Sequence, residues 1–246
     1  MKEIAHFFWH GQLSKLEIGC IKSFIKHGFQ VKVWSYNGLK IPGAESCDAR
    51  LVLPESHITK YSQGESKSPS LAAFSDVFRY KLLYDYGGWW FDTDCVCLKD
   101  SSEFTELRKN KPIVAGYQTL TSIAVGVLYL EKSISAEITT KIDAMLEQHN
   151  YHLPVWGSIG PKLVTIYIND NNLSNHISDM SAFYPIHWDD ARILLDPNKL
   201  DEVLEIIDGS YIIHVWDSIL VNKMQLDKNK PPKGSFLHHV NNIKSV

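Results

Sequence analysis

The chain has 246 residues, of which 44% are hydrophobic and 22% charged, and its formal net charge is −3. This length can bury a full core in one sizeable domain, and the negative charge argues against a polycationic nucleic-acid-binding surface. The longest apolar run, residues 123–130, is far shorter than the ~20 residues of a membrane-spanning helix. The charged N-terminal residues do not resemble a secretory signal. Four cysteines without a Cys-x-x-Cys pair favour a reduced, cytoplasmic location.

The first elements alternate between strand and helix. The aromatic run at residues 4–9 predicts a buried strand. Ser14 and Glu17 have capping-box spacing, and the helix that they open ends near Gly28. Residues 31–34 alternate as a second strand would. Strand, helix and strand within about 35 residues predict a βαβ unit with parallel pairing.

The middle of the chain leads into an acidic turn. Residues 38–68 read as a long connection with one strand at 51–53. A helix is expected to start at Ser68 and Pro69 and to end at Gly87 and Gly88. The apolar residues 89–91 then predict a buried strand that runs directly into Asp92 and Asp94.

Later elements are expected in the following order: strands near 113–116 and at 123–130, helices at about 136–149, from Pro161 and at 197–208, and a last strand at 211–216. No repeat, low-complexity tract or linker divides the chain, so one α/β domain is predicted.

The acidic turn is the sharpest candidate site. Carboxylates at i and i+2 of an extended segment point to opposite faces, but a turn after a strand brings both to one divalent ion. Oxygen ligands suit Mg²⁺ or Mn²⁺. On the preceding helix, Asp76 and Arg79 are three residues apart and share a face. A solvated acidic turn and a surface ion pair are the alternatives.

The run from Ala73 to Asp94 resembles the signature of DXD-containing glycosyltransferases. Its pattern is SD-x-x-R, then LY-x-x-GG, an aromatic strand and D-x-D. The run His6 to Gly11 is similar to the first strand of that family, and His214 to Ser218 is similar to its C-terminal H-x-W-(N/D) element. The family includes capsular-polysaccharide and lipopolysaccharide sugar transferases, glycosyltransferase family 32-like enzymes and the clostridial glucosylating toxins.

The resemblance implies a GT-A type fold, with a Rossmann-like βαβ core and a mixed sheet. It implies one domain over residues 1–246, in which residues 1–100 bind the nucleotide sugar and residues 101–246 bind the acceptor and supply a C-terminal metal and diphosphate element. It also implies a metal-dependent retaining hexosyltransferase that takes a nucleotide-sugar donor, usually a UDP-sugar, together with Mn²⁺ or Mg²⁺.

The resemblance also assigns roles to individual residues. Trp9 would stack on the nucleobase, with Ser75 beside it, although a core Trp at the end of the first strand is the alternative. Asp76 and Arg79 would hydrogen-bond the donor sugar. Asp92 would meet the ribose and metal-bound water, and Asp94 would ligate the metal. The implied donor-binding set is Trp9, His10, Ser75, Asp76, Arg79, Trp90, Asp92 and Lys223, and the implied catalytic set is Arg79, Asp92 and Asp94.

A further metal ligand is expected from the C-terminal element. His214 is the first candidate and Asp217 the competing one, while a buried core histidine is the ordinary alternative. The lysines that follow, Lys223, Lys228 and Lys230, would neutralise a diphosphate if the tail closed over it, or they would form a solvated basic tail. At residues 122–126, where relatives often carry Asn beside the donor sugar, this chain has no Asn.

Two other functions stay open on the sequence alone. The run Phe91 to Val96 also matches the aspartyl-phosphate motif of haloacid-dehalogenase-like phosphatases, with Asp92 as nucleophile, although a full βαβ unit precedes it. A non-catalytic nucleotide-sugar-binding protein is the second alternative. The expected acceptor is a glycan or lipid-linked glycan of a bacterial capsule or lipopolysaccharide. The segment from Phe183 to Asp190 resembles a strand of the family followed by an acidic loop. Asp189 and Asp190 would face the acceptor, or they would be an acidic pair at a helix N-terminus. No nucleic-acid partner is expected, and membrane contact at the inner face of the cytoplasmic membrane is at most peripheral.

Overall fold

The structure, a computed structural model, describes residues 2–57, 71–148 and 157–244. Its strands are β1 (Ile4–Phe8), β2 (Gln30–Ser35), β3 (Glu45–Asp48), β4 (Trp89–Phe91), β5 (Cys95–Cys97), β6 (Ile113–Tyr117), β7 (Ile123–Leu130) and β8 (Ile212–His214). Its α-helices are α1 (Lys15–Lys26), α2 (Ala72–Tyr86), α3 (Ser101–Arg108), α4 (Lys132–Gln148), α5 (Pro161–Asp170), α6 (Met180–Phe183), α7 (Leu200–Ile206), α8 (Asp217–Met224) and α9 (Phe236–Asn241). Short 3₁₀ helices cover Ala49–Leu51, Glu55–His57, Ser174–His176, Ala191–Leu195 and Pro197–Lys199.

Six strands form one mixed sheet in the order β3-β2-β1-β4-β7-β6. The pairs β3–β2, β2–β1 and β1–β4 are parallel, whereas β7 runs antiparallel to both β4 and β6. The unit β1-α1-β2 is the predicted βαβ unit. The order and directions of the strands confirm the predicted fold class, a GT-A type α/β arrangement with a Rossmann-like core and a mixed sheet.

Both faces of the sheet are covered, because successive residues of a strand point to opposite sides. Phe8 and Trp90 pack on one face in a core that includes residues of α2, α4 and α5. Phe7 and Trp89 pack on the other face against residues of α1 and α3. Adjacent large apolar residues such as these are therefore expected in strands buried on both sides.

The turn between α2 and β4 depends on two glycines. Gly87 closes α2 at a φ of 63°, and Gly88 follows at a φ of 78°. A Cβ at Gly88 would lie 3.0 Å from the carbonyl oxygen of Ile4. The two glycines thus permit the tight return from α2 into β4, which pairs with β1. The helix end predicted at these glycines is confirmed.

Several sequence predictions need correction. Residues 51–53 do not form a strand: Leu51 ends a 3₁₀ helix, and the strand of this region is β3. Phe183 is the last residue of α6 and not part of a strand. Of residues 211–216, only Ile212–His214 is a strand, and it pairs with β5 outside the main sheet. The predicted helix start at Ser68 and Pro69 lies outside the described residues.

Within the described ranges, no helix is both long enough and apolar enough to cross a membrane. All four cysteines are described, and each is a free thiol. The extent of the domain, residues 1–246, stays a prediction.

Candidate active site

The Asp92–Asp94 turn connects the main sheet with the small sheet. It follows β4 and precedes β5, and the amide of Cys95 donates a 3.0 Å hydrogen bond to the carbonyl of Asp92. The amide of Asp92 is held by the carbonyl of Gly126 on β7, at 2.7 Å. Because the chain turns here, the carboxylates of Asp92 and Asp94 both approach the His214 imidazole instead of pointing to opposite faces. The turn predicted from the sequence is therefore present.

Strand β8 delivers His214 to that turn. Cys95 and His214 are partners in the antiparallel register of β5 and β8, and the amide of Val215 donates to the carbonyl of Asp94 at 3.0 Å. His214 Nε2 consequently lies 3.2 Å from Asp94 Oδ1 and 3.9 Å from Asp92 Oδ2. The structure thus brings together three of the four residues predicted to hold a metal.

The fourth, Asp217, has a different arrangement. Its backbone amide donates to Asp94 Oδ2 at 3.1 Å, whereas its carboxylate oxygen Oδ2 lies 2.8 Å from Lys228 Nζ. Asp217 therefore contacts Asp94 through its main chain while its carboxylate is engaged by a cation. Of the two candidates for the further ligand, His214 is the one whose side chain faces Asp94.

Arg79 joins helix α2 to the turn. Its Nη2 lies 3.1 Å from Asp76 Oδ1 and 3.4 Å from Asp92 Oδ1. Its Nη1 donates to the carbonyl of Val125 at 2.5 Å, and the guanidinium lies 4.9 Å from the centroid of the Trp90 ring. Since the residue is 4% exposed, these contacts fix its fork in one orientation, as a planar guanidinium allows.

Smaller contacts complete this side of the site. Ser75 Oγ accepts from Arg79 Nη2 at 3.2 Å, and Trp90 Nε1 donates to Asp92 Oδ1 at 2.8 Å. Ser75, Asp76, Arg79, Trp90 and Asp92 are therefore contiguous in space, which the predicted donor-binding role would require.

Lys228 reaches the turn from the C-terminal segment. Its ammonium pairs with Asp217 and with Glu17 of α1 and lies 5.3 Å from the centroid of the Trp9 ring. Trp9 is partly exposed, and its indole N–H is buried without a hydrogen-bond acceptor among the described residues. Trp9 is thereby connected to the Asp94 side of the site through one lysine.

Two predicted donor-binding residues lie at the margin. His10 is exposed and contacts Glu55 at 3.2 Å. Lys223 lies near the other end of α8 from Asp217 and lines a surface cavity of about 750 Å³ together with Arg192, Met224 and Pro232. The structure records no ion pair between Lys223 and the described residues of the turn.

Eight ionisable groups form a continuous chain of contacts, which we call the charged cluster: Asp76, Arg79, Asp92, Asp94, His214, Asp217, Lys228 and Glu17. Its carboxylates outnumber its cations by two even when His214 is protonated. A buried excess of negative charge is unfavourable without a compensating ion. This imbalance fits a divalent cation.

The pKa values in the cluster diverge. Burial raises the pKa of Asp94, with Asp217 and Asp92 acting in the same direction against His214. Burial also raises the pKa of Asp92, but Arg79, His214 and Trp90 more than offset it, so that this pKa lies below its ordinary value. Burial lowers the pKa of His214, and the carboxylates of Asp94 and Asp92 reverse that effect and raise it. Asp92 is therefore the permanent anion of the turn.

The donor set suits a divalent metal ion. Ligand atoms of Asp94, Cys95 and His214 all lie within 4.8 Å of one another. Gly126 leaves room for these side chains because it has no Cβ. A Cβ on Gly126 would lie 2.9 Å from Asp92 Oδ2 and 3.2 Å from His214 Cδ2. Carboxylate and imidazole are acceptable ligands for Mn²⁺, and a thiol would add a preference for softer ions.

Four residues that lie in or beside the site were not among the predicted site residues: Glu17, Cys95, Gly126 and Lys228. Glu17 had a capping role only, and Lys228 was one of several tail lysines. Cys95 follows the acidic turn directly, which is a usable signal. Nothing in the sequence alone indicates that Gly126 faces Asp92, because that contact depends on how β4 pairs with β7.

Two regions of the chain match described protein families. Residues 14–115 match the "Glycosyltransferase sugar-binding region containing DXD motif", and residues 142–239 match the "Alpha 1,4-glycosyltransferase conserved region". The first region carries Arg79, Asp92 and Asp94, and the second carries His214 and Lys228. The charged cluster is thus divided between the two matched regions.

The chain is also similar to individual proteins. It is 24% identical over 166 residues to the lactosylceramide 4-alpha-galactosyltransferases of Homo sapiens and Gorilla gorilla gorilla, and the match covers 63% of this chain. It covers 44% of the human protein and 48% of the gorilla protein, so the chain spans about half the length of these curated relatives. Among solved structures, the apo-form glycosyltransferase GlyE of Streptococcus pneumoniae TIGR4 overlaps 87% of this chain and 54% of its own, with 14% identity and a TM-score of 0.48.

Proposed function

Because this chain belongs to the DXD-containing glycosyltransferases, we propose that it moves a hexose from a UDP-sugar to a glycan acceptor with retention at the anomeric carbon. The observation that carries the proposal is the convergence of Asp92, Asp94 and His214 beside the buried Arg79. One end of this arrangement is anionic and suits a divalent cation. The other end, at Asp76 and Arg79, offers hydrogen-bond acceptors and donors to sugar hydroxyls.

The donor would extend from Trp9 to Arg79. A Trp face contributes roughly 1–3 kcal/mol of stacking to a nucleobase, and the buried N–H of Trp9 lacks an acceptor among the described residues. Ser75, Asp76 and Arg79 would hold the sugar. Lys228, which already lies near Trp9 and Asp217, would face the diphosphate between them.

Asp92, Asp94 and His214 would hold Mn²⁺ or Mg²⁺, with Cys95 close enough to join a softer ion. When bound, such an ion supplies Lewis-acid compensation for negative charge on the diphosphate. The protein's own contribution is fixed electrostatics: Arg79 and Lys228 are held in place by carboxylates before any donor arrives. Preorganised charges of this kind stabilise a transition state without reorganisation.

The reaction breaks the bond between the anomeric carbon and the diphosphate oxygen and forms a bond from that carbon to the acceptor oxygen. The acceptor hydroxyl attacks the face from which the diphosphate departs, and its proton passes to a departing phosphate oxygen. No enzymic nucleophile is required. The family description that contains "Alpha 1,4" supports this stereochemistry, since an α-linked donor gives an α-linked product by retention.

The acceptor is proposed to be a lipid-linked glycan. The name of the curated relatives, lactosylceramide 4-alpha-galactosyltransferase, describes an acceptor glycan carried on a lipid. We propose synthesis of a bacterial capsule or lipopolysaccharide as the setting, with a cytoplasmic enzyme in peripheral contact with the membrane. Asp189 and Asp190 are exposed and available to an acceptor.

A panel of UDP-sugars incubated with the protein and Mn²⁺ tests the function. Slow release of UDP from one donor, lost in Asp94→Asn, is the expected result. Stabilisation by beryllofluoride without a nucleotide would indicate an aspartyl-phosphate phosphatase that uses Asp92. Tight UDP binding without turnover of any donor, in the presence of several glycan acceptors, would indicate a binding protein and contradict the proposal.

A further inference from the structure

Glu17 is a fully buried carboxylate at the start of helix α1. Its residue is 0% exposed, and it occupies the third helical position after the N-cap Ser14. A carboxylate at this position normally reaches back to the N-cap amide and remains solvated. Burial of a carboxylate is unfavourable unless it is both paired and hydrogen-bonded.

The two oxygens of Glu17 serve different partners. Oε2 accepts hydrogen bonds from the amide of Ser14, at 2.7 Å, and from the Ser14 hydroxyl. Oε1 accepts from Lys228 Nζ, which is 211 residues away in sequence. Capping explains only the first oxygen. The second is committed to a lysine of the C-terminal segment.

Further bonds hold the same segment against the N-terminal end of α1 and against the last residue of α9. Asn229 Oδ1 accepts from the amide of Lys15 at 3.0 Å, and the carbonyl of Lys228 accepts from Asn241 Nδ2 at 2.9 Å. With its main chain fixed, Lys228 directs its ammonium between Glu17 and Asp217 and lies near the Trp9 ring.

We propose that Glu17 is a positioning residue, which holds the Lys228 ammonium beside Asp217 and the Trp9 ring so that its charge faces the donor diphosphate. This inference rests on the proposed function. Glu17 itself touches neither donor nor metal ligand, and it acts through Lys228. A lysine on a flexible stem loses considerable rotamer freedom when it is ordered, and Glu17 imposes that order before the donor binds.

The first test needs no substrate. An amine-reactive acylating reagent with mass-spectrometric readout compares Lys228 with the exposed Lys223 in the wild type and in Glu17→Gln. We expect Lys228 to react several-fold more slowly than Lys223 in the wild type. In Glu17→Gln, Lys228 should approach the rate of Lys223, which should itself be unchanged. An unchanged Lys228 rate in Glu17→Gln would overturn the inference.

The second test measures coupling. If Lys228 is no longer held in place, Glu17→Gln should raise the donor KM roughly tenfold, a factor that corresponds to about 1.4 kcal/mol, with a smaller change in kcat. If Glu17 acts through Lys228, then Glu17→Gln should add nothing to Lys228→Met in the double variant. Additive losses would contradict the inference.

A matched control is available in the chain. Glu103 is the capping-box glutamate of α3, in the same helical position after Asp100, and it is exposed and remote from the charged cluster. Glu103→Gln should change neither Lys228 labelling nor donor KM. Thermal unfolding of all variants identifies any that fail to fold, and the double variant retains neither buried charge.

The two proposals fail separately. If the wild type turns over no donor but Lys228 becomes reactive in Glu17→Gln, the proposed function fails and the positioning contact stands. If the wild type transfers sugar and Glu17→Gln matches it in labelling and in KM, only the role of Glu17 fails.

Discussion

Nη2 of Arg79 lies 3.4 Å from Asp92 Oδ1, so a buried guanidinium from α2 is in contact with the first carboxylate of the acidic turn. The same side chain bonds the carbonyl of Val125. One residue therefore links α2, the turn and β7. This contact also holds the pKa of Asp92 below its ordinary value despite burial.

Arg79→Lys is expected to reduce sugar transfer by about 100-fold or more, because one ammonium cannot reproduce the bonds of the fork to Asp76, Asp92 and Val125. Arg79→Met should in addition lower the free energy of unfolding by about 3–5 kcal/mol, since it leaves buried carboxylates unpaired. Donor hydrolysis and urea unfolding measure the two effects. Arg50→Lys, at an exposed ion pair with Asp48, is the control and should match the wild type. An equal loss of sugar transfer in Arg79→Lys and Arg50→Lys would contradict the prediction.

Substitutions at the two competing ligands are expected to separate them. In the presence of Mn²⁺, UDP at 100 times its own dissociation constant should stabilise the wild type by about 2.7 kcal/mol. For a chain of this size, that free energy corresponds to a rise in Tm of about 5–10 °C. Asp94→Asn and His214→Asn should lose that rise. Asp217→Asn should retain most of it, because its carboxylate pairs with Lys228 while its amide contacts Asp94. Loss only in Asp217→Asn would reverse the assignment.

Gly126→Ala tests the space beside the turn. In an open strand, alanine stabilises relative to glycine by about 0.5–1 kcal/mol. Here the new Cβ would lie 2.9 Å from Asp92 Oδ2, so we expect the opposite sign, a lower Tm, and a weaker response to Mn²⁺. A Tm at or above that of the wild type would show that the turn can move aside.

Stability should depend on His6 at acidic pH. Burial, followed by the charge of Lys32, lowers the pKa of His6 from 6.5 to about 4, and its Nδ1 accepts from Trp34 Nε1 at 3.0 Å. As the pH falls below 6.5, the unfolded chain binds a proton that the folded chain refuses until about pH 4. The contribution is therefore fully present above pH 6.5 and lost progressively towards pH 4.

Between pH 7 and pH 4.5, His6 should account for about 2–3 kcal/mol of lost unfolding free energy. Urea unfolding of His6→Asn at both values should show a correspondingly smaller pH dependence than the wild type. His239→Asn, at an exposed position, serves as the reference. A pH dependence in His6→Asn equal to that of the wild type would contradict the assignment.

Local signals predicted the fold well where a single segment determined the outcome. The sequence predicted the capping box at Ser14, the helix end at Gly87 and the turn at Asp92, because each of them depends only on neighbouring residues. The strand expected at residues 51–53 was wrong because a short apolar run does not by itself identify a strand. Leu51 ends a 3₁₀ helix with its side chain exposed, and Val52 and Leu53 are buried after that helix.

Long-range pairing was the part that local patterns could not supply. The contact between His214 and Asp94 depends on β5 pairing with β8, and the strands are separated by more than a hundred residues. Likewise Lys228, and not Lys223, reaches Asp217, because α8 ends between them and turns the chain back towards α1. Only the family resemblance placed His214 in the site beforehand.

Because β5 pairs with β8, the site forms only when the segment that carries His214 and Lys228 is present. A chain that lacks residues 212–228, through premature termination or cleavage, would keep Asp92 and Asp94 but lose the imidazole and the ammonium that adjoin them. In such a fragment Asp92 would still contact Arg79, but Asp94 would lose its cationic neighbour. The proposed activity should therefore appear only after β8 has paired with β5 and Lys228 has reached Asp217.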